Sequence, residues 1–225
     1  MINPNTPVII GVAQIEQRIT DPLLVQEPIE MMVDAVRQAA LDSGNADLLR
    51  EVESVRVIRG VWRYKHPAGY VAAKIGVPDA ETVGSPYGGN MVQSVVNQSA
   101  LDILRGDKSL IVITGAENGN SQAKARKAGV ELAATETSGD YSRMIGQEEP
   151  MSADAEQARG LRQPIQFYPM FENAIRHHRG ESIDAHQIRI SELWAGFSRV
   201  ASENPHAWIK TPVAAETIRT PGPTN

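Results

Sequence analysis

Gly88-Gly89-Asn90 stands between a short apolar run and a helix-forming run, and it is the first candidate site in this chain of 225 residues. Two flexible residues there let a ligand approach backbone N–H groups at the positive end of a helix. The same residues also suit a plain strand-to-helix turn. No third glycine follows at the dinucleotide-binding spacing, and no Gly-Lys-Ser/Thr follows, so neither phosphate-cradling motif is present.

Three other groups of residues carry potential chemistry. His177-His178, with His186 nearby, suggests metal ligation, but neighbours on a helix point about 100° apart, and Arg176 and Arg179 would repel a cation. A solvated helix end, with the side chains meeting last-turn carbonyls, fits that pattern better, and no metal is expected. Lys124, Arg126 and Lys127 form a short basic cluster that is either a solvated face or a contact for an anionic ligand such as the phosphates of coenzyme A. Glu148-Glu149 could act as an acid/base pair, but beside Pro150 in a polar stretch the two carboxylates read as exposed. Cysteine is absent altogether. Disulfides, thiolate metal sites and cysteine nucleophiles are therefore excluded.

These residues need elements to hold them. Residues 6–14, with Val8-Ile9-Ile10-Gly11-Val12-Ala13, read as a strand buried on both faces, of the kind a parallel sheet covered by helices requires. A helix opens at Glu27-Pro28, carries Ile29, Met32, Val33, Val36 and Ala40 on one stripe, and stops at Ser43-Gly44-Asn45. Residues 53–58 then read as a strand, 69–75 as a helix ended by Gly76, and 81–83 as a short strand. After Asn90 a helix with Val92, Val95, Val96, Ser99 and Ile103 on one face closes at Gly106, and 110–115 form another apolar strand. Strand, helix and strand at this spacing indicate right-handed crossovers and a parallel sheet.

Residues 118–164 are polar and lack long apolar periods, as expected of a loop excursion over a sheet edge. Helical periodicity returns at 168–178 and 184–202. The tail, 211–225, holds Pro212, Pro221, Gly222 and Pro223 and reads as a linker. The organisation expected is a βαβαβ core over 1–117, a covering loop region over 118–164, completing helices over 165–210, and the linker over 211–225.

Lys plus Arg is 22 and Asp plus Glu is 27, a net charge of −5. That balance is a poor one for nucleic-acid binding, which wants a basic excess. No apolar run approaches the length of a membrane span. The N-terminus shows no signal-peptide pattern, so a cytoplasmic location is the default.

Taken together, Ser85-Pro86-Tyr87-Gly88-Gly89-Asn90, the helix to Arg105-Gly106, and Ile111-Val112-Ile113-Thr114-Gly115-Ala116-Glu117 resemble the central segment of thiolases, the acetyl-CoA acetyltransferase superfamily. Thr6-Pro7-Val8-Ile9-Ile10-Gly11-Val12 looks like the family's opening strand. The helical stretch from Tyr168 to His178, followed by Asn204-Pro205-His206-Ala207, resembles sterol-carrier-type thiolases. The fold implied is the N-terminal half of a thiolase: α/β, a layered, mixed but mostly parallel sheet with helices on both faces.

The resemblance also implies what the chemistry lacks. Thiolases carry a nucleophilic Cys at the N-terminus of the central helix, and counting back 28 residues from Glu117 places Gly89 there. A thiolate at a helix N-terminus has a lowered pKa and attacks a thioester while backbone N–H groups hold the oxyanion. Glycine supplies only the second part, so the catalytic residues are unknown and covalent acyl transfer through Gly89 is excluded. The family's Gly-His-Pro, Asn-Glu-Ala-Phe and second Cys, which belong to its C-terminal half, are absent from this sequence.

The resemblance therefore implies a thiolase-like acetyl-CoA acetyltransferase homologue concerned with lipid metabolism, with coenzyme A or acyl-CoA as substrate and no covalently bound cofactor. It is expected to be inactive as this chain alone. Tyr87, Gly88, Gly89 and Asn90 are the implied substrate-binding residues. The expected partners are acyl-CoA, a missing C-terminal half or a separate subunit supplying it, and further copies of the chain, because a half thiolase would leave apolar surface bare. A noncatalytic acyl-CoA-binding or assembly subunit is the alternative. A nucleotide-binding α/β domain is a third reading, weakened by the absent phosphate motif.

Overall fold

The computed structural model describes residues 3–150 and 152–223. They fall into two compact units, Met1–Glu149 and Pro150–Asn225.

The first unit is built on a four-stranded sheet of β1 (Ser54–Val57), β2 (Glu81–Gly84), β3 (Ile111–Thr114) and β4 (Arg143–Met144), in the order β3-β1-β2-β4. All three pairings are parallel. Helices α2 (Pro67–Ile75) and α3 (Met91–Leu104) are the crossovers from β1 to β2 and from β2 to β3, and α1 (Pro28–Asp42) precedes β1 and packs on the sheet. Pro28 and Pro67 open α1 and α2, where a missing N–H leaves nothing unpaired. Gly76 and Gly106 end α2 and α3 at φ of 92° and 78°, a region that glycine enters without strain.

Strand β1 has two chemically different faces. Val55 and Val57 pack with Ile29, Met32, Val33 and Val36 of α1 and with Val71 of α2 in one buried apolar cluster. Ser54 and Arg56, one residue out of phase, lie on the opposite face with Ser99 and Asp102 of α3. The helices α1 and α3 therefore cover opposite faces of the sheet.

The reading of residues 6–14 as a buried strand is corrected. This segment joins no ladder, and Val8 and Ile9 are 69% and 81% exposed. Its apolar pattern suits a strand, but a strand also needs a neighbour for its backbone groups, and among the described residues none lies beside it. Three other departures lie between 118 and 164, the last being the short helix α5 (Asp154–Ala158). Helix α4 (Gly119–Ala128) forms from a polar run that buries only Ser121 and Ala125, and β4 extends the sheet by two residues.

The second unit consists of α5 (Asp154–Ala158), α6 (Pro164–Arg179), α7 (Ile183–Glu203) and α8 (Ala215–Arg219). His186 of α7 reaches back to Glu172 of α6 through Nε2 at 3.1 Å and to Glu181 through Nδ1 at 3.2 Å. The tail is more ordered than its prolines suggest. Val213 donates its N–H to Ser198 Oγ at 2.8 Å, and α8 packs against α7. Residues 224 and 225 of the expected linker lie outside the described residues.

Candidate functional site

Ser85 and Pro86 leave the end of β2 buried, while Tyr87, Gly89 and Asn90 emerge exposed ahead of α3. Ser85 Oγ accepts the N–H of Arg59 at 3.0 Å, which ties this turn to the chain leaving β1. Among the described residues, the only backbone bond closing the turn is Met91 N–H to Gly88 O, at 3.0 Å. The N–H groups of Val92 and Gln93 thus keep no intrahelical partner, as at any helix start. Asn90 is the N-cap, but its side chain makes no capping bond.

A side chain would fit at Gly89. Its φ lies outside the left-handed region, and a Cβ added there would meet no atom within 4 Å. The missing thiol is therefore a matter of residue identity, since the backbone geometry would accept one.

Beside Tyr87 opens a cleft of about 1410 Å³, its walls formed by residues 59–65 after β1 and by residues 118–137, which include α4. Ligands of open α/β sheets gather outside the carboxyl ends of the strands, and residues 59–65 leave such an end. Four cations line the cleft: Arg59, Arg63, Lys65 and Arg126. Arg59 lies over the Trp62 ring, 4.7 Å from its centroid, and Lys65 pairs with Asp140 at 3.2 Å. Among the described residues, Arg63 and Arg126 have no ion-pair partner. Glu131, Glu136 and Glu148 also reach the cleft, so its charge is mixed with a small positive excess.

Glu117, the end of the Gly115-Ala116-Glu117 run, has a structural task at this cleft. Its Oε1 accepts the N–H of Val61 at 2.6 Å, while the Ala116 carbonyl accepts Trp62 Nε1–H at 3.2 Å. The far side is tied to α1 by Glu27, whose carboxylate accepts the Thr135 N–H and hydroxyl, each at 2.7 Å, and the Tyr64 hydroxyl at 3.0 Å. Burial, then the bond and charge of Glu27, raise the Tyr64 pKa well above its ordinary value.

The sequence-derived candidates separate in space. Tyr87 borders the cleft, and Gly88, Gly89 and Asn90 continue from it into the start of α3 without lining its walls. Of the basic cluster only Arg126 reaches the cleft. Lys124 Nζ donates to the Ile19 carbonyl at 3.3 Å, and Lys127 is exposed elsewhere on α4. Glu148 lines the cleft and Glu149 does not. His177 and His178 are exposed in the last turn of α6, and no group of three metal-ligating side chains occurs among the described residues. Sequence reasoning missed Arg59, Trp62, Arg63 and Lys65. Their signal was a basic and aromatic run placed directly after a strand.

Among solved structures the chain is similar to the crystal structure of a monomeric SCP2-thiolase-like protein type 1 from Mycobacterium smegmatis, with a TM-score of 0.72 and 25% identity. The whole chain takes part in that overlay. The chain has a thiolase-like fold. It spans 41% of the length of that relative. No family model and no curated protein matches the sequence. The parallel sheet with α1 and α3 on opposite faces is thus a thiolase-like half in size as well as in topology. In this thiolase-like chain no described helix is long and apolar enough to cross a membrane.

Proposed function

We propose that the chain is an acyl-CoA-binding thiolase homologue whose cleft takes the phosphorylated part of the ligand. The thioester would then lie toward the start of α3. The observation that carries this reading is the pair of unpartnered cations, Arg63 and Arg126, in a cleft that Tyr87 borders. The cleft's volume exceeds the roughly 300–1,000 Å³ of sites for drug-sized molecules, which suits an extended ligand. The adenine or its phosphates would meet Arg59, Arg63 and Arg126, because planar guanidinium groups recognise phosphate through two parallel bonds.

At the thioester end the residues support polarisation without covalent transfer. The free N–H groups of Val92 and Gln93, at the positive end of α3, can stabilise charge developing on a carbonyl oxygen. Gly89 has no atom that can take the acyl group. The reading therefore favours acyl-CoA binding over thiolytic turnover by this polypeptide, and acetyl transfer would need a nucleophile and a base from elsewhere.

Incubation with acetyl-CoA followed by intact-mass measurement tests the noncovalent form of this proposal. The expected result is saturable binding with no gain in mass. A stable acetyl adduct on the chain would overturn it.

A further inference from the structure

Residues 131–141, between α4 and β4, are held with almost no backbone bonding. Of their amide N–H groups only that of Thr135 finds an acceptor among the described residues, and the acceptor is a side chain, Glu27 Oε2 at 2.7 Å. The Thr135 hydroxyl donates to Oε1 of the same carboxylate at 2.7 Å. Beyond Thr135 the chain is fastened to the start of α2. His66 donates its N–H to Thr137 Oγ1 at 2.9 Å, His66 Nδ1 meets the Ser138 carbonyl at 3.3 Å, and Lys65 pairs with Asp140. Before Thr135 nothing is fastened. Residues 131–134 make no hydrogen bond among the described residues, and Glu131, Ala133 and Ala134 are exposed.

At the leading end Gly129 closes α4 at φ of 68°, and a Cβ there would meet no atom within 4 Å. A glycine in open space absorbs changes of φ and ψ at little cost. The segment is thus free at one end, fastened at the other and held in its middle by one carboxylate, the build of a strap of low local stability.

The charges it carries give its motion a consequence. Glu131 and Glu136 line the same cleft as Arg63 and Arg126. With the strap latched, three carboxylates stand among the four cations; with it swung out, only Glu148 is left. The second arrangement holds an anion better, because a like charge in a half-enclosed site repels it over several ångströms. Opening does not orphan Glu27, which keeps the Tyr64 hydroxyl at 3.0 Å while water replaces Thr135.

We propose that residues 130–136 are an autoinhibitory strap: the Glu27–Thr135 latch holds Glu131 and Glu136 in the cleft, and a phosphorylated ligand binds with the latch released and the strap swung out. By linkage, the ligand opens the strap as much as the open strap favours the ligand. The proposal concerns the cleft of the acyl-CoA reading and rests on that reading for its ligand alone.

Spin labels at Gln38→Cys on α1 and Ala133→Cys on the strap read the latch without ligand, since both sites are exposed and the chain has no other cysteine. A second, longer label distance should grow in Thr135→Val, which removes one latch bond and leaves Tyr64 its partner. It should grow further in Glu27→Ala, whose parent side chain makes no capping bond to α1. Titration with inorganic tripolyphosphate, and separately with coenzyme A, then reads the cleft. Each should bind at least about fivefold more tightly to Glu27→Ala than to the parent. Glu131→Gln/Glu136→Gln should tighten binding in the parent and add nothing in Glu27→Ala, because the open strap has already carried both carboxylates away. An unchanged label distance in both latch variants would overturn the proposal. So would tripolyphosphate affinity that is absent or equal in parent and Glu27→Ala, or carboxylate effects that add in full. Tighter tripolyphosphate binding without any coenzyme A binding would uphold the strap and remove the acyl-CoA reading.

Discussion

Arg56 on β1 and Asp102 on α3 form an ion pair at 2.5 Å with the guanidinium wholly removed from solvent. Arg56 also donates to Ser99 Oγ at 2.9 Å and to Ser54 Oγ at 3.2 Å, while Asp102 further accepts from Arg143 at 2.6 Å and Gln98 at 2.7 Å. The helix whose first turn holds Gly89 and Asn90 is therefore fixed to the sheet by charge as well as by packing. Removing one partner from a buried pair strands the other, at a cost of about 3–5 kcal/mol. Asp102→Asn removes the charge but keeps an acceptor oxygen for Arg56, so it should lower stability at neutral pH by less than that, about 2 kcal/mol. Arg143→Gln, at a residue one-third exposed, should cost less than about 1 kcal/mol. Denaturant titration of both variants checks the contrast, and equal losses would count against it.

The same pair sets an acid limit. Burial pushes the Asp102 carboxyl up, but the hydrogen bonds of Arg143, Arg56 and Gln98 outweigh it and hold the pKa at about 2, against 3.8 in the unfolded chain. A depressed carboxylate contributes stability that is full above its unfolded pKa and is lost as pH falls through its folded one. Asp102 should therefore contribute about 2 kcal/mol at neutral pH, and that contribution should vanish between roughly pH 4 and pH 2. Stability curves of the parent and Asp102→Asn should converge over that window. Parallel curves would contradict the assignment.

Much of the fold was legible because sheet and helix periods differ and because Pro28, Gly76 and Gly106 mark element ends by backbone chemistry that acts locally. Residues 6–14 were misread for the opposite reason. Their alternation is real, but whether a strand forms depends on a neighbour that no local pattern reports. Arg56 was illegible in the same way, since nothing in the run 53–58 says that its partner stands 46 residues on. Of the site, the turn at Gly88-Gly89-Asn90 was visible as a change of period. The cations Arg63 and Arg126 meet only because α4 and the chain leaving β1 converge in space.

Gly89 accepts a side chain without strain. Gly89→Cys should change stability by less than about 0.5 kcal/mol, since the added Cβ meets open space. The positive end of α3 should lower the pKa of the new thiol. Alkylation rates against pH measure this without background, because the chain has no other cysteine. The apparent pKa should fall below that of Ala123→Cys, on the exposed surface of α4. Equal values would show that the start of α3 exerts no useful field there.

Gly60 has no such freedom. A Cβ there would lie 2.3 Å from Trp62 Nε1 and 2.7 Å from Glu117 Oε1, so both side chains must move and the Glu117 bond to Val61 must lengthen. Gly60→Ala should cost about 1–3 kcal/mol by thermal unfolding and should weaken ligand binding through displacement of Arg59 and Trp62. An unfolding midpoint equal to the parent's would show that this wall of the cleft is not held as described.

Calorimetric titration of coenzyme A into the chain, set beside the Arg63→Ala/Arg126→Ala double variant, tests the central claim most directly. Both side chains are exposed and unpaired, so the variant should keep its fold. The account predicts saturable binding of one coenzyme A per chain, weakened by at least about tenfold in the variant, as loss of charged hydrogen bonds to phosphate requires. No saturable heat at millimolar coenzyme A, or equal affinity for the two proteins, would contradict it.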